Sequence, residues 1–284
     1  MSNTVLATYN QHNRDALLKF YERGHKYEIQ TDKKSNYTSV TSWVHSHFPK
    51  FDADAVIASI FNSKSWNPEN KYWGQTAEQI KAGWKQSGSQ ASSSGTSLHA
   101  NIESFMNNSF LNKNYTHEEL YTFYKLNQDL NQALYQTNEV EWNYFMTFIK
   151  DYPDLKPYRT EWMIFDEDLK IAGSIDMVYE NPDGTLSIYD WKRCKDISIV
   201  NNWNKFSNNP LISHIPDLNF WHYTLQLNTY KLILERKYNK IVTTLCLVRL
   251  HPNNKNDTYE LLDVPILTKE MQDLIEQREK VFKN

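Results

Sequence analysis

The chain has 284 residues, of which 40% are hydrophobic, and a formal net charge of −3 at pH 7. This length and apolar content suffice for a large buried core, which excludes an intrinsically disordered chain. The two cysteines, Cys194 and Cys246, are too few for a zinc ribbon or a four-cysteine iron–sulfur cluster. No signal peptide is visible, and no segment reaches the roughly 18 apolar residues that a membrane span needs. We therefore expect an intracellular globular protein without a membrane partner, in a compartment that the sequence does not specify.

Residues 1–89 are expected to form a small helical lobe that follows a short extended segment at residues 26–40, KYEIQTDKKSNYTSV, whose two apolar runs flank a polar turn. Asp52 is the predicted N-cap of the helix ADAVIASIF, and Thr76 with Gln79 forms a capping box for AEQIKAGWK. The tryptophans of this lobe either form exposed stacking surfaces or pack short helices against the main core, which is the commoner use of such rings. These tryptophans are Trp43, Trp66, Trp73 and Trp84.

A further helix is predicted from about Gln90 to Asn107, although its first half is rich in serine. Its apolar stripe consists of Leu98, Ile102, Phe105 and Met106. His99 and Glu103 lie four residues apart and share a neighbouring face. Taken alone, His99 is best explained as a hydrogen-bonded structural histidine.

The remaining elements alternate between helix and strand. Two helices follow, the first opened by the capping box Thr116 and Glu119, and then the strand YRTEWMIF. A hairpin turns at NPDG, residues 181–184, and a helix at 220–238, two strands and a charged helix from about Thr268 complete the chain. This order predicts an α/β fold around a mixed sheet of about five strands flanked by helices.

The second strand of the hairpin carries an unusual pair of charges. Side chains alternate along a strand, so Asp190 and Lys192 share one face. The position of the turn places Asp176 opposite residue 189, and a small register adjustment brings it beside Asp190. Two carboxylates at a strand end are ligands for Mg²⁺ or Mn²⁺, and the lysine can orient the attacking water. By itself, however, an Asp-x-Lys motif is common on solvated strand faces.

The segments GTSLHANIE, YRTEW, AGSIDMV, YDWKR and QLNTY together resemble the PD-(D/E)XK nuclease superfamily. Within it they resemble the RecB-like branch, which includes the mitochondrial genome maintenance exonucleases, and predicted nucleases of large DNA viruses and phages. The resemblance covers about residues 90–250 and implies a restriction-endonuclease-like core, which we expect over residues 90–284. The chain lacks the cysteines of the iron–sulfur relatives.

The resemblance also implies roles for individual residues. Metal ligands would be His99, Asp176, Asp190 and the main-chain carbonyl of Trp191. Lys192 would be the catalytic lysine, and Glu161 occupies the place of another catalytic acid that assists the metal. Contacts to the DNA backbone are expected from Gln226 and Tyr230, and the local basic run DWKRCK adds Arg193.

We therefore expect a monomeric, Mg²⁺- or Mn²⁺-dependent deoxyribonuclease that acts as an exonuclease on single-stranded or end-containing DNA. If the tryptophans of residues 1–89 form stacking surfaces, this lobe would be an arch over the DNA strand, and the strand would need a free end. One alternative is a structure-specific or restriction-like endonuclease, which would cut closed circles. Another is a non-cutting nucleic-acid-binding protein on a nuclease scaffold. RNA stays open as a substrate, because no residue visibly recognises a 2′-hydroxyl.

Overall fold

The computed structural model of the chain describes residues 4–111, 114–127 and 139–282. The helices in these ranges are α1 (Val5–Tyr9), α2 (Val40–His45), α3 (Ala53–Phe61), α4 (Ala77–Met106), α5 (His117–Leu126), α6 (Glu139–Asp151), α7 (Asn219–Lys237) and α8 (Thr268–Phe282). The strands are β1 (Leu18–Tyr21), β2 (Lys26–Ile29), β3 (Thr38–Ser39), β4 (Lys156–Asp166), β5 (Ile171–Glu180), β6 (Leu186–Lys192), β7 (Val242–Arg249) and β8 (Glu260–Asp263). Among the described residues, no helix combines the length and apolar composition of a membrane span.

Six of the described strands form one mixed sheet in the order β3-β5-β6-β7-β8, with β4 paired to β5. The β4–β5, β5–β6 and β7–β8 pairs are antiparallel, whereas β3–β5 and β6–β7 are parallel. The predicted α/β fold with a mixed sheet flanked by helices is therefore confirmed. The sheet has one strand more than expected because β3, which lies in the extended segment predicted at residues 26–40, pairs with β5 and so joins the main sheet.

Helices cover both faces of this sheet because its strands are apolar on both sides. On one face, α2, α7 and α8 share a core with the sheet, including Val40, Trp43, Leu227, Ile233, Leu274, Ile175 and Ile188. On the other face, α4, α5 and α6 do so, including Leu98, Ile102, Leu120, Phe145, Phe148, Tyr189 and Trp191. The ends of β5 and β6 lie between these two layers, where side chains from α4 and α7 reach them.

Helix α4 is one continuous helix of 30 residues, so the start predicted at about Gln90 is wrong. The predicted capping box is present: the Gln79 N–H donates to Thr76 Oγ1 (3.3 Å), and the Thr76 N–H donates to Gln79 Oε1 (2.7 Å). No proline interrupts the serine-rich stretch, and serine costs only about 0.5 kcal/mol relative to alanine in a helix. The boundary expected at residue 89 consequently falls inside this helix.

The N-terminal segment packs directly on the main sheet. Besides helices it contains the antiparallel β1–β2 pair, which packs against Phe165 and Ala172. Trp43 lies in the main core with 3% of its surface exposed, as the packing interpretation predicts. Further along, Trp66 and Trp73 have ring centroids 5.2 Å apart, and Trp73 is 46% exposed. The extended segment predicted at residues 26–40 is confirmed by β2 and β3, whereas β1 lies outside it and was not predicted.

Candidate metal centre

The β5–β6 hairpin sets the register of the candidate residues. Its turn spans residues 181–185, where the Asn181 N–H donates to the Thr185 carbonyl (2.8 Å) and Gly184 adopts a φ of +81°. Met177 pairs with Tyr189, so the next step of the register brings Asp176 level with Asp190. The turn contains five residues, 181–185, because Glu180 pairs with Leu186. The register therefore differs by one residue from the one that places Asp176 opposite residue 189, and this is the adjustment considered from the sequence.

The alternation predicted for β6 is observed. Leu186 and Ile188 belong to the core shared with α7, whereas Tyr189 and Trp191 belong to the core on the α6 side. Lys192 contacts side chains of α7 directly. Asp190 and Lys192 therefore lie on the same face of β6 as Leu186 and Ile188, at the end of the strand that α7 covers.

Helix α4 brings His99 to the carboxylates of β4 and β5. His99 Nδ1 lies 3.7 Å from Glu161 Oε1 and 3.6 Å from Asp176 Oδ2. One ligand atom of each of these three residues lies within 4.8 Å of the other two. This group contains two acidic oxygens and one imidazole nitrogen, a donor set that fits a divalent cation.

The backbone of Trp191 orients two members of this group. Its N–H donates to Asp176 Oδ2 (3.1 Å), and its carbonyl lies 3.0 Å from His99 Nε2. If Nε2 carries a proton for this carbonyl, the lone pair of Nδ1 faces the carboxylates. The carbonyl that the resemblance assigned to the metal shell thus lies at the centre, where it contacts a ligand.

Glu161 has a strained backbone at the middle of β4. Its φ is +42°, in the left-handed region that a residue with a Cβ rarely adopts and that costs about 1–3 kcal/mol. The pairs Thr160–Met177 and Trp162–Ile175 hold the strand on both sides of it. The Ser174 hydroxyl donates to Glu161 Oε2 (3.0 Å), so this strain is accompanied by a defined carboxylate position.

The buried charges at the centre shift one another's pKa values. Burial, and then repulsion by Asp176, raises the pKa of Asp190 to about 6. Burial also raises the pKa of Asp176, although His99 opposes the shift. Burial of the His99 imidazole disfavours its charge, but Asp176 and Glu161 outweigh this effect and raise its pKa to about 9. A bound cation would relieve the repulsion among these carboxylates.

Lys192 is held as a cation beside the centre. Its Nζ lies 2.5 Å from Asp190 Oδ2, 4.3 Å from the centroid of the Tyr223 ring and 3.5 Å from Gln226 Oε1. Burial disfavours its charge, but Asp190 and Asp176 outweigh this and raise the pKa of Lys192 above its ordinary value. The ammonium group is therefore suited to stabilising negative charge and not to acting as a general base.

Gln226 and Tyr230 lie on one face of α7, as their spacing predicted. The Gln226 amide donates to the Tyr230 hydroxyl (3.2 Å) and to Thr41 Oγ1 of α2 (3.2 Å). Tyr230 is only 4% exposed, and its ring approaches Gly173 closely. In this arrangement Tyr230 positions Gln226, and their contacts to DNA stay predictions.

The other predicted residues are not all brought together. Asp190 is paired with Lys192 and contributes no atom to the group of His99, Glu161 and Asp176 within the described residues. Arg193 points to α6, where its Nε donates to buried Glu141 (2.7 Å). The contact of Arg193 to DNA therefore stays a prediction. It requires that Arg193 bind a phosphate in addition to Glu141 or in place of it.

Among the described residues, those that sequence reasoning missed include Thr41, Ser174 and Tyr223, which contact candidates of the centre, and Glu141, which contacts Arg193. Tyr223 precedes Gln226 by three residues, a spacing that places both on one helical face, so the helix pattern contained this signal. Thr41 and Ser174 are common polar residues whose contacts depend on elements distant in the sequence. No local signal distinguishes them.

Comparison with known proteins adds one finding. A family model described as the PD-(D/E)XK nuclease superfamily matches residues 70–283, which is more than half of the chain. The matched segment contains every candidate residue of the centre, from His99 on α4 to Tyr230 on α7. A search of curated proteins returned no match.

Proposed function

Because this chain belongs to the PD-(D/E)XK nuclease superfamily, we propose that it is a divalent-metal-dependent deoxyribonuclease that hydrolyses phosphodiester bonds. We assign it to the RecB-like branch, as an exonuclease on single-stranded DNA or on DNA with free ends. The observation that carries the proposal is the group of His99, Glu161 and Asp176 beside the ion pair of Asp190 and Lys192.

The residues divide into a ligand side and a charge-stabilising side. A bound divalent cation supplies neutralisation of the phosphate charge and a lower pKa for a coordinated water. His99, Glu161 and Asp176 would hold it, with Asp190 available from the same end of the hairpin. Lys192, which stays protonated, would stabilise the charge that develops on the phosphate. Gln226 would hold the strand near the ammonium group, since its carbonyl oxygen already faces Lys192 Nζ.

The exonuclease subtype draws its support from the motif order and from the aromatic residues before α4. Trp66 and Trp73 lie within stacking distance of each other, and nearly half of Trp73 is accessible to solvent. Exposed rings of this kind bind unpaired bases, at about 1–3 kcal/mol per base. If these rings form an arch over the bound strand, the strand would need a free end to enter.

The test is degradation of end-labelled DNA by the wild type, Lys192→Ala and Lys269→Ala. Linear single strands, linear duplexes and covalently closed circles are each incubated with Mg²⁺, Mn²⁺ or EDTA. Lys269 is the matched control, because its side chain is 84% exposed on α8.

We expect metal-dependent loss of the linear substrates only, reduced at least about a hundredfold by Lys192→Ala and unchanged by Lys269→Ala. Cleavage of circles would replace the exonuclease assignment with an endonuclease. Binding without degradation in either metal would contradict the nuclease proposal and support the non-cutting alternative.

A further inference from the structure

A cleft of about 420 Å³ lies between the N-terminal segment and β4, directly beside the metal centre. Ala7 of α1 and Gln11 line one side of it, and Arg159, Glu161 and Met163 of β4 line the other. Its volume is within the range of small-molecule sites, about 300–1,000 Å³. Glu161 therefore belongs to both the cleft and the candidate ligand group.

The cleft is lined by a buried guanidinium group, that of Arg159. Arg159 is 6% exposed, and its Nη1 donates to Asp15 Oδ2 (2.8 Å) and to the Asn10 carbonyl (2.9 Å). Its Nε is buried and has no hydrogen-bond partner among the described residues. A buried donor without a partner is costly, at about 1–3 kcal/mol, and a ligand in the cleft could approach this guanidinium.

The charges of the cleft exclude a phosphate as its occupant. The positive charge of Arg159 is balanced by Asp15 at 2.8 Å, and Glu161 adds a negative charge at the border with the metal centre. The other lining groups are uncharged, namely the apolar side chains of Ala7, Ala16 and Met163, the hydroxyl groups of Thr4, Thr8 and Thr160, and the amide of Gln11. A flat, uncharged ring with polar edges fits such a surface, whereas an anion does not.

We propose that this cleft receives one unstacked nucleobase of the strand being cut, next to the phosphate held at the metal centre. The proposal rests on the nuclease function proposed above and specifies its substrate further. Glu161 relates the two sites in space, because it lines the proposed base site and also belongs to the metal centre, where the phosphate would be held. A base can enter only after it leaves the stack, which costs least in single strands and at open ends.

The wall formed by residues 4–16 precedes residue 70, where the family match begins. The base site therefore combines a strand from the matched region with a segment outside it. A larger side chain on this wall should fill the cleft, remove the base site and leave the metal ligands in place.

The test compares two probes by isothermal titration calorimetry in the presence of Mg²⁺, namely dAMP and 2-deoxyribose 5-phosphate, which lacks the base. The full chain is used as wild type, Ala7→Phe, Gln11→Ala and Ala58→Phe. The Ala7→Phe variant fills the cleft, and Gln11→Ala removes its amide without adding bulk. Ala58→Phe is the matched control, since Ala58 is an exposed alanine on α3.

We expect wild type and Ala58→Phe to bind dAMP at least about tenfold more tightly than the sugar phosphate, since one well-placed base contributes about 1–3 kcal/mol. In Ala7→Phe the two probes should bind equally, with Mn²⁺ affinity unchanged, and Gln11→Ala should lower the preference. Equal binding of both probes by wild type, or a preference retained in both cleft variants, would overturn the proposal. Because neither probe is a nuclease substrate, failure of the DNA degradation assay would leave this result interpretable by itself.

Discussion

Three carboxylates, those of Glu161, Asp176 and Asp190, surround one imidazole and one ammonium group at the centre. The pKa values of Asp176 and Asp190 are raised, first of all by burial. Folding thus holds these carboxylates where their ionised forms are disfavoured. A cation that binds only the folded chain would stabilise it, by about 2.7 kcal/mol at a concentration one hundred times its Kd.

The first prediction concerns the ligands of this cation. Glu161→Gln and His99→Gln should each weaken Mn²⁺ binding at least about tenfold, because the first replaces a charged carboxylate with a neutral amide and the second replaces the imidazole nitrogen of the group of three. Glu103→Gln, one turn along α4 from His99, is the matched control and should change the affinity little. Calorimetry or the signal of free Mn²⁺ measures this, and equal losses in Glu103→Gln and Glu161→Gln would contradict the assignment.

The second prediction concerns a histidine remote from the centre. His117 is fully buried, its Nε2 lies 2.9 Å from the Tyr179 hydroxyl, and burial lowers its pKa to about 3. The unfolded chain protonates this residue below its ordinary pKa of about 6.5. Its stabilising contribution is therefore complete above that pH and is lost as the pH falls towards 3.

His117→Gln should accordingly make stability less dependent on pH. Between pH 6 and pH 4, the slope of unfolding free energy against pH should decrease by up to about 1.4 kcal/mol per pH unit. Between pH 7 and pH 8 the two slopes should be equal, which provides the internal control. Urea unfolding at each pH measures both, and identical slopes in the acid range would show that the imidazole is not buried as a neutral group.

At the scale of elements, α7 approaches β5 so closely that the contact has no room for a Cβ on Gly173. An ideal Cβ there would lie 2.7 Å from Tyr230 Cε1 and 3.0 Å from Val40 Cγ2. The absence of a side chain is what lets Tyr230 pack over the sheet and hold Gln226 beside Lys192. Gly173, three residues before Asp176, is therefore required for the packing of α7 on the sheet. The linear motif does not reveal this role.

Gly173→Ala should destabilise the protein by about 1–3 kcal/mol through overpacking. It should also lower the nuclease activity by a larger factor than it lowers the affinity for 2-deoxyribose 5-phosphate. Gly88→Ala is the control, since nothing lies within 4 Å of the corresponding Cβ on α4. In a helix this second change should be stabilising by up to about 1 kcal/mol. Thermal unfolding of both variants checks the contrast, and a stable Gly173→Ala would mean that Tyr230 moves away at little cost.

At the scale of the whole molecule, the segment before the family match completes the core. β3 pairs with β5, and Val40, Trp43 and Val44 of α2 are buried in the core shared with α7. The Arg159–Asp15 ion pair and a hydrogen bond from Trp162 Nε1 to Asp15 (3.0 Å) tie the N-terminal segment to β4. Removing these residues would expose apolar surface and leave Arg159 unpaired.

A chain that begins at residue 70 should therefore fail to fold cooperatively, although it contains the whole matched region. We expect it to aggregate or to show no thermal transition, where the full chain unfolds in one transition. Trp43→Ala in the full chain gives a milder version of the test and should cost about 3–5 kcal/mol. A folded, monomeric fragment would show that the N-terminal segment is an accessory to the core.

Local sequence was sufficient for most elements and for several candidate residues. The hairpin was predictable because NPDG is a strong turn signal and because Asp190 and Lys192 must share a face of their strand. Helix α4 was predicted too short, since its serine-rich half has a weak propensity of its own and is helical because both of its ends are anchored. The two-residue strand β3 lies in the extended segment that the apolar runs predicted, but its pairing with the distant strand β5 had no local signal.

The sequence by itself determined which residues are candidates for the chemistry, because motif order and strand alternation are local properties of the chain. The tertiary structure decided which of them meet. It placed Glu161 with His99 and Asp176, paired Asp190 with Lys192, turned Arg193 towards Glu141 and set the cleft beside Glu161. These contacts join residues far apart in the sequence, and their distances depend on how helices and sheet pack, which no local pattern specifies.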